Sequence, residues 1–351
     1  MFSALLGHIN YYMKKGEEKM NWLQLANEVI EGKIISNEEA LAILNSDDDE
    51  LLKIMDGAFA IRKHYYGKKV KLNMIMNAKS GYCPEDCGYC SQSSKSTAPI
   101  DKYPFITKDE ILAGAKRAFE NKIGTYCIVA SGRGPTRKDV NVVSEAVEEI
   151  KEKYGLKVCA CLGLLKEEQA QQLKEAGVDR YNHNLNTSER HHSYITTSHT
   201  YEDRVNTVEV VKKHGISPCS GAIIGMKETK EDVVQIARAL HQLDADSIPV
   251  NFLHAIDGTK LEGTKELNPR YCLKVLALFR YINPTKEIRI SGGREVNLGS
   301  LQPLGMYAAN SIFVGDYLTT EGQEVNSDYL MLEDLGFEIE LTEKQTEAFC
   351  S

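Results

Sequence analysis

Residues 70–90, VKLNMIMNAKSGYCPEDCGYC, join a β-rich segment to a loop that holds three cysteines. Apolar and polar side chains largely alternate over residues 70–77, and this period of two predicts a strand. The cysteines follow closely and are spaced C-x3-C-x2-C. Upstream, over residues 20–66, the pattern is helical, so this stretch marks the point where a strand-containing fold begins.

Downstream of this point, short β-rich segments alternate with amphipathic helical patterns. Capping-box pairs such as Thr107 with Glu110 and Thr229 with Asp232 mark helix starts. Strands are predicted at residues 70–77, 125–131, 157–163, 180–187, 217–224, 246–253, 287–292 and 311–316. This order predicts an α/β fold of parallel βαβ units, and eight of them predict a (β/α)8 TIM-type barrel. A doubly wound sheet is the competing architecture, but no Gly-rich dinucleotide motif follows the first strand.

Three regions are predicted along the chain. Residues 1–66 form an N-terminal helical extension, residues 67–320 form the barrel, and residues 321–351 form a polar C-terminal segment that either wraps it or is partly mobile. The start of translation stays open between Met1, Met13 and Met20.

Charge and composition restrict the partners and the compartment. The formal net charge of -8 argues against nucleic-acid binding, which requires a basic face. No segment approaches the roughly 20 apolar residues of a membrane span, and the short apolar N-terminal run lacks the basic lead of a signal peptide. The 9 cysteines are an odd number in a long chain. We therefore expect reduced thiols in a cytoplasmic protein, used for metal or cluster binding.

The cysteine triplet, Cys83, Cys87 and Cys90, is the strongest indication of chemistry. A loop this short can bring three sulfurs to one face of an iron–sulfur cube, and Gly88 tolerates a positive φ if the wrap needs one. A [4Fe–4S] cluster normally takes four thiolates, so three of them leave one iron open for a small molecule. A zinc site is the alternative, but it requires a fourth ligand from a further C-x2-C pair or a nearby histidine, and neither is present.

Further thiols lie on the predicted strands. Cys127 is on the second strand, Cys159 and Cys161 share a face of the third, and Cys219 is on the fifth. If these faces point inward, the thiols and Arg289 of the seventh strand converge inside the barrel, where they can hold a second cluster. The alternative interpretation is that each cysteine is a small buried apolar residue.

Amide side chains occupy positions where a barrel interior normally carries Val, Ile or Leu. Asn182, Asn184 and Asn186 alternate along the fourth predicted strand, and Asn251 lies on the sixth. A buried amide without a partner costs about 1–3 kcal/mol, so the pattern favours polar ligands inside the barrel. The alternative is that the strand end faces solvent.

An aromatic residue before the last cysteine, here Tyr89, completes a motif typical of radical S-adenosylmethionine enzymes. Over about residues 55–340 the chain resembles the biotin synthase family of these enzymes. The resemblance rests on NAKSGYCPEDCGYCSQSS (77–94), YNHNLNTS (181–188), TYEDRVNT (200–207), CSGAIIGMKET (219–229), IPVNFL (248–253) and RISGGRE (289–295).

The resemblance implies roles for individual residues. The triplet would hold the [4Fe–4S] cluster, whose open iron chelates S-adenosylmethionine. The ligands of a [2Fe–2S] cluster would be Cys127, Cys159, Cys219 and Arg289. The cofactor side would be formed by Tyr89, Asn184, Asn186 and Arg204, and the substrate side by Asn182, Asn184 and Asn251.

Two departures from the family pattern affect these roles. Asn186 stands where many members carry Asp, although a neutral amide still bonds a ribose hydroxyl. Cys161 is an additional thiol on the face of Cys159, and the residues alone leave open which of the two is a ligand. The resemblance favours Cys159.

The implied activity is sulfur insertion into dethiobiotin to give biotin. Reductive cleavage of S-adenosylmethionine yields a 5′-deoxyadenosyl radical that abstracts hydrogen from the substrate, and the [2Fe–2S] cluster supplies sulfide. The implied partners are a flavodoxin-type electron donor, the iron–sulfur assembly machinery and a second copy of the chain in a homodimer. Two rival functions stay open: another radical enzyme with a similar barrel, of the hydrogenase-maturation or methylornithine-mutase type, and a non-catalytic zinc-binding barrel.

Overall fold

The computed structural model of the protein describes residues 20–350. Residues 1–19 of the predicted N-terminal extension, with Met1 and Met13, lie outside the described residues, as does Ser351. The strands are β1 (Lys69–Lys79), β2 (Thr125–Ala130), β3 (Lys157–Cys161), β4 (Arg180–Asn182), β5 (Ser217–Cys219), β6 (Ala222–Ile224), β7 (Ser247–Phe252), β8 (Glu287–Ile290), β9 (Ser311–Phe313) and β10 (Glu338–Ile339).

Helices precede, separate and follow these strands. They are α1 (Trp22–Ile30), α2 (Asn37–Asn45), α3 (Leu51–Tyr66), α4 (Lys108–Glu120), α5 (Arg137–Tyr154), α6 (Glu167–Glu175), α7 (Glu189–Ile195), α8 (Tyr201–Lys213), α9 (Lys230–Gln242), α10 (Pro269–Ile282), α11 (Arg294–Leu298), α12 (Gln302–Gly305), α13 (Val325–Asp334) and α14 (Glu343–Phe349). Two short 3-10 helices cover Asp48–Glu50 and Gly299–Leu301. The predicted capping boxes at Thr107 and Thr229 are present, with each threonine accepting from the third residue of its helix.

The sheet closes on itself because β1 pairs with β2 on one side and with β9 on the other. Every pairing between named strands is parallel. The strands β5 and β6 both pair with β7 and together fill one place in the wall. The predicted (β/α)8 barrel is therefore confirmed.

Two predicted strands differ from the structure. The predicted strand at 217–224 is split into β5 and β6, because Gly221 is pressed against the backbone of Pro249, whose carbonyl oxygen lies 1.9 Å from where a Cβ would stand. The predicted strand at 180–187 ends at Asn182, and Asn186 has φ +69°. Asn184 and Asn186 are therefore in the loop that leaves the barrel wall rather than in a strand.

The N-terminal helices cover one side of the barrel's outer layer. Helix α10 is buried from Cys272 to Ile282 because α2 and α3 pack on the face that would otherwise meet solvent. The hydroxyl of Tyr281 donates to the carbonyl oxygen of Trp22 at 2.9 Å, which fixes α1 as well. Cys272 is a core thiol of this packing.

The C-terminal segment closes the end of the barrel where the strands begin. Strand β10 extends the sheet at the start of β1, with Lys69 opposite Glu338. Arg294 and Asp328 form a fully buried ion pair at 2.7 Å, which attaches α13 to the barrel. The cysteine loop follows the opposite, C-terminal end of β1. The division of the chain at residues 66 and 320 stays a prediction.

Within the described part of the chain, each helix is too short or too polar to cross a bilayer.

Candidate active site

The loop that carries the cysteine triplet is attached to the segment between α7 and α8. The carboxylate of Asp86 accepts hydrogen bonds from the backbone nitrogens of Thr197 and Ser198, at 2.9 and 3.0 Å, and from the hydroxyl of Thr196 at 2.6 Å. Although burial opposes ionisation, these donors lower the pKa of Asp86 well below its ordinary value. The charged carboxylate therefore holds the loop in one position.

A second acidic residue of the loop is buried. Glu85 accepts from Arg133 at 3.0 Å and from the hydroxyl of Ser198 at 2.5 Å, and it also contacts Nδ1 of His199. Burial raises its pKa, but these partners outweigh burial and lower it overall. Glu85 and Asp86 together connect the triplet to residues that lie more than 100 positions later in the chain.

Gly88 does not adopt the positive φ that glycine would tolerate here. The left-handed residues of this region are Gly81 and Tyr82, with φ +68° and +52°, directly before the first cysteine. Gly88 is small for another reason: a Cβ there would lie 3.0 Å from the side chain of Lys260 and 3.3 Å from the carbonyl oxygen of Ile195. Its backbone N–H also donates to that carbonyl at 2.8 Å.

The three thiols of the triplet lie near one another: besides burial, Cys87 raises the pKa of Cys83, and Cys87 and Cys83 both raise the pKa of Cys90. Cys87 is buried, whereas Cys83 and Cys90 are partly exposed. Burial raises the pKa of all three thiols and takes that of Cys90 to about 12. Without a bound metal the thiols therefore keep their protons, and cluster binding must release them.

A cavity of about 190 Å3, here called the upper cavity, lies at the C-terminal ends of the strands. Its walls bring together most of the predicted cofactor and substrate residues. Among its lining residues are Cys83, Cys87, Tyr89, Cys161, Asn182, Asn184, Asn186 and Arg204.

Hydrogen bonds between these lining residues orient the amides. Asn182 donates to Oδ1 of Asn184 at 2.9 Å, and Arg204 donates to the backbone oxygen of Asn184 at 2.7 Å. Asn186 donates to the hydroxyl of Tyr89 at 2.6 Å, which connects the loop after β4 to the cysteine loop. Asparagine tolerates the positive φ that this turn requires, and so would aspartate.

A second cavity of about 210 Å3 adjoins the upper cavity, and Tyr89, Gln92 and Leu318 line both. Cys90 and Asn251 line this second cavity and not the upper one. The amide of Asn251 donates to the oxygen of Ala222 and accepts from the nitrogen of Gly292, both at 3.0 Å. The structure thus places Asn251 in a cavity that adjoins the one lined by Asn182 and Asn184, with Tyr89 common to both.

Below the upper cavity, Cys127, Cys159 and Cys219 form a buried cluster packed against Ile75, Val129 and Phe313. Cys127 and Cys159 are register partners on β2 and β3. The thiol of Cys159 is hydrogen-bonded to both Cys127 and Cys219; the bond with Cys127, together with burial, raises its pKa. Cys161 does not join this cluster, because its thiol donates to Oδ1 of Asn182 at 3.3 Å.

Asn182 connects the two levels of the site. Besides its bond to Asn184, its amide donates to the sulfur of Cys219 at 3.2 Å. A ligand in the upper cavity that contacts Asn182 therefore lies next to the inner thiols.

Arg289 lies beside the inner thiols and is held by polar side chains. Its guanidinium donates to Glu287 at 2.7 Å, to Ser247 at 2.9 Å and to Ser311 at 3.3 Å, and it stacks over Phe313 at 5.0 Å. Burial works against its charge, but Cys219, Glu287 and the other inner thiols raise its pKa overall. The structure therefore brings Arg289 together with the three cysteines predicted to share its cluster.

Below the inner thiols, positively charged side chains outnumber negatively charged ones. Glu287 pairs with Arg289, with Arg180 at 2.8 Å and with Lys71 at 3.2 Å, so three cations surround one carboxylate. Buried charges need compensation, and thiolates and sulfides are anions. The inner thiols and this cationic base consequently fit a cluster with thiolate ligands, and the triplet beside an open cavity fits a cluster with one free iron.

A site for a single metal ion finds no support. Among residues 20–350, no three His, Cys, Asp or Glu side chains are arranged to hold one ion. The inner thiols lie in a row, with Cys159 between Cys127 and Cys219, whereas zinc requires ligands around one point. A cluster distributes its ligands over several irons.

Several residues that were not identified from the sequence hold the site residues in position. Glu287, Ser247 and Ser311 position Arg289, and the pair Glu85–Asp86 positions the triplet. A signal for Glu287 was available, since it lies two residues before Arg289 on the same strand face. Ser291, two residues after Arg289, has a buried hydroxyl without a partner among the described residues.

Two family models match the chain. Residues 78–240 match the radical SAM superfamily, and residues 249–338 match the biotin and thiamin synthesis associated domain. A biotin synthase of Lysinibacillus sphaericus is 92% identical over 332 residues, which cover 95% of this chain and 100% of the relative. A biotin synthase of Bacillus subtilis (strain 168) is 71% identical over 323 residues, covering 92% and 96%.

Solved structures share the fold at low identity. Methylornithine synthase superimposes with a TM-score of 0.80 at 21% identity, covering 93% of this chain and 99% of that one. The FeFe-hydrogenase maturase HydG from Carboxydothermus hydrogenoformans gives a TM-score of 0.77 at 16% identity, covering 99% and 85%. These two show the barrel alone, whereas the high identity to biotin synthases over almost the whole length shows the family. The chain belongs to the biotin synthase family of radical S-adenosylmethionine enzymes.

Proposed function

We propose that this enzyme converts dethiobiotin to biotin and that the inner thiols hold the cluster from which the inserted sulfur comes. The observation that carries the proposal is the contact of Cys127, Cys159 and Cys219 beside Arg289, beneath a cavity lined by Cys83 and Cys87 of the triplet. A radical enzyme that only rearranges its substrate has no need of a second thiol set at this depth. The direct bond from Asn182 to Cys219 joins the two levels.

The site residues belong to two levels of the barrel, that of the triplet and that of the inner thiols. Cys83, Cys87 and Cys90 would hold the [4Fe–4S] cluster, and Cys127, Cys159, Cys219 and Arg289 would hold the [2Fe–2S] cluster. S-adenosylmethionine would lie against Tyr89, Asn184, Asn186 and Arg204, and dethiobiotin against Asn182, Asn184 and Asn251. When bound, these groups supply a carbon radical that abstracts hydrogen and a sulfide that is inserted.

The chain's own contribution is to bind, orient and exclude water. Asn186 holds the hydroxyl of Tyr89 at the boundary of the two cavities, and Arg204 fixes the backbone at Asn184. Burial of the inner thiols keeps water from the sulfur source. Their protons must leave when the cluster assembles, and the cations around Glu287 stabilise the anionic product of that loss.

The cellular setting is part of the same proposal. The reduced thiols suit a cytoplasmic enzyme, which would work as a homodimer, receive electrons from a flavodoxin-type donor and be reloaded by the iron–sulfur assembly machinery.

The proposal is tested by removing one thiol from each level. Cys87→Ala should lose the [4Fe–4S] spectrum and all cleavage of S-adenosylmethionine. Cys127→Ala should retain formation of 5′-deoxyadenosine but form no biotin. Cys350→Ala, at an exposed terminal thiol, is the matched control and should behave as the wild type.

Anaerobic assays with dethiobiotin, S-adenosylmethionine and a chemical reductant measure both products. Biotin formation by Cys127→Ala at the wild-type rate would contradict the sulfur-source assignment. Cofactor cleavage by Cys87→Ala would contradict the role of the triplet.

A further inference from the structure

Cys161 is the last residue of β3, and its thiol lies at the upper cavity, where it contacts an amide instead of the inner thiols. The parallel register pairs Ala160 with Tyr181, so Cys161 and Asn182 come next to each other where β3 and β4 end. The thiol donates to Oδ1 of Asn182 at 3.3 Å. Among residues 20–350, Cys161 supplies the one hydrogen bond that this oxygen accepts.

The amide nitrogen of Asn182 is occupied by contacts within the protein. It donates to Oδ1 of Asn184 at 2.9 Å, and on its other side to the carbonyl oxygen of Cys219 at 3.4 Å and to the sulfur of Cys219 at 3.2 Å. If the amide were turned over, its oxygen would lie against the carbonyl oxygen of Cys219, which cannot donate a hydrogen bond. The amide of Asn182 is therefore held with its nitrogen towards Cys219 and its oxygen towards Cys161.

This series of hydrogen bonds ends at Asn184 with an unused donor. Because Oδ1 of Asn184 accepts from Asn182, the amide nitrogen of Asn184 lies on the side away from Asn182. This nitrogen donates to no group in the part of the chain that the structure describes, and Asn184 is a half-buried residue of the upper cavity. The bond from Arg204 to the carbonyl oxygen of Asn184 fixes the backbone at the same point. The amide N–H groups of Asn184 are therefore available to a ligand that brings an acceptor oxygen.

We propose that Cys161 is a positioning residue whose thiol holds the amide of Asn182, so that Asn184 presents an N–H donor to an acceptor oxygen of the bound ligand. The proposal deepens the proposed function and rests on it. Both expected ligands carry such an oxygen: dethiobiotin in the carbonyl of its ureido ring, and S-adenosylmethionine in its carboxylate and ribose hydroxyls. Cys161 acts through Asn182 and Asn184 and needs no contact with either ligand.

Removal of the thiol should weaken ligand binding without removing a cluster. Without its donor, the oxygen of Asn182 is released to turn towards the cavity, and the bond that orients Asn184 is disturbed. The loss of one hydrogen bond of ordinary strength changes an affinity by about three- to tenfold. Because Cys161 does not belong to the inner thiols or to the triplet, the iron content should stay at the wild-type level.

Three variants of the full-length, reconstituted enzyme separate hydrogen bonding from packing. Cys161→Ala removes the donor and leaves a small space, and Cys161→Val fills this space with a side chain that suits a strand but cannot donate. Cys161→Ser keeps a donor in a side chain of similar size. The control is Cys350→Ala, which makes the same exchange at an exposed terminal thiol. Iron content and the midpoint of thermal unfolding are measured for every sample.

Binding is measured by anaerobic calorimetric titration without a reductant, so that no turnover occurs. S-adenosylmethionine is titrated into the enzyme alone, and dethiobiotin is titrated into the enzyme saturated with S-adenosylmethionine. We expect the affinity for at least one of these ligands to fall by about three- to tenfold in Cys161→Ala and Cys161→Val, and to stay within about twofold of the wild type in Cys161→Ser. The ligand that loses affinity is the one whose oxygen meets Asn184. Cys350→Ala should bind both ligands as the wild type does.

Wild-type affinity for both ligands in Cys161→Ala and Cys161→Val would overturn the proposal. Recovery of affinity in Cys161→Val, or a loss in Cys161→Ser as large as that in Cys161→Ala, would also overturn it, since packing or the sulfur itself would then explain the effect. A lower iron content in Cys161→Ala would overturn it as well, because the thiol would then be a cluster ligand. If binding changes as expected but the reduced wild type forms no biotin, the proposed function fails while the role of Cys161 stands.

Discussion

Cys127 and Cys159 face each other across β2 and β3, and their thiols are hydrogen-bonded inside the barrel. Cys161 lies two residues further along β3 and shares the same face, yet its thiol contacts Asn182 instead. The structure therefore gives the two thiols of β3 different surroundings, one among sulfurs and one at the floor of the upper cavity.

This difference predicts opposite outcomes for two otherwise matched variants. Cys159→Ala should lose about two irons per chain and the spectrum of the second cluster, because it removes the thiol between Cys127 and Cys219. Cys161→Ala should keep the full iron content. Iron and sulfide analysis of anaerobically reconstituted protein measures this, and the reverse assignment of the two variants would disprove our reading of β3.

The ion pair between Glu287 and Arg289 predicts a large effect on stability. Glu287→Gln leaves Lys71, Arg180 and Arg289 without their shared carboxylate, and breaking a buried pair costs about 3–5 kcal/mol. Urea unfolding of the cluster-free protein measures the change. Glu209→Gln, at an exposed position of α8, should change stability by less than about 0.5 kcal/mol. Equal unfolding midpoints for both variants would count against the role of Glu287.

At position 186, the structure predicts that one substitution of the asparagine is tolerated and another is not. Asn186→Asp keeps a residue suited to φ +69°, and its carboxylate can accept from the hydroxyl of Tyr89, to which the Asn186 amide donates. Affinity for S-adenosylmethionine should therefore change by less than about threefold. Asn186→Ala removes the bond and strains the turn, and affinity should fall by about tenfold. Calorimetric titration of the reconstituted enzyme compares the two. A weaker affinity in Asn186→Asp than in Asn186→Ala would contradict the geometry.

The lowered pKa of His192 predicts that the protein loses stability in mild acid. Burial and the nearby Arg204 lower its pKa from 6.5 to about 4. The unfolded chain therefore binds the proton more readily, so stability that is present above pH 6.5 is lost as the pH falls towards 4. The loss should be roughly 1–2 kcal/mol after solvent screening.

The variant His192→Phe isolates this contribution because phenylalanine keeps the ring contacts with His199 and Tyr201. Between pH 7 and pH 4.5 it should lose less stability than the wild type in urea unfolding of the cluster-free protein. Parallel curves for the two proteins would show that His192 does not titrate in this way.

The barrel could be predicted because its signals are local. The capping boxes at Thr107 and Thr229 and the alternation of strands with amphipathic helices depend on residues a few positions apart. The break between β5 and β6 could not be predicted, because it arises from the backbone of Pro249 on a neighbouring strand pressing on Gly221. The position of β10 at the start of β1 is likewise a long-range contact.

The candidate site could likewise be predicted only where its signals are local. The period of a strand predicted that Cys159 and Cys161 share a face, but only the register of β2 against β3 shows which of them meets Cys127. The role of Asp86 depends on residues 196–198, and no local pattern joins the two segments. Asn251 was grouped with Asn182 by resemblance; it lines an adjoining cavity that shares Tyr89 with the upper cavity, and the grouping stays a prediction.

Isotope transfer shows whether the inner thiols hold the sulfur that enters the product. The enzyme is reconstituted with heavy-isotope sulfide, washed, and allowed one turnover with dethiobiotin in unlabelled buffer. The mass of the biotin formed is then measured by mass spectrometry. We predict heavy sulfur in the biotin of the wild type and no biotin from Cys127→Ala, although that variant still carries labelled sulfide at the triplet. Biotin with light sulfur from the wild type, or labelled biotin from Cys127→Ala, would contradict the account.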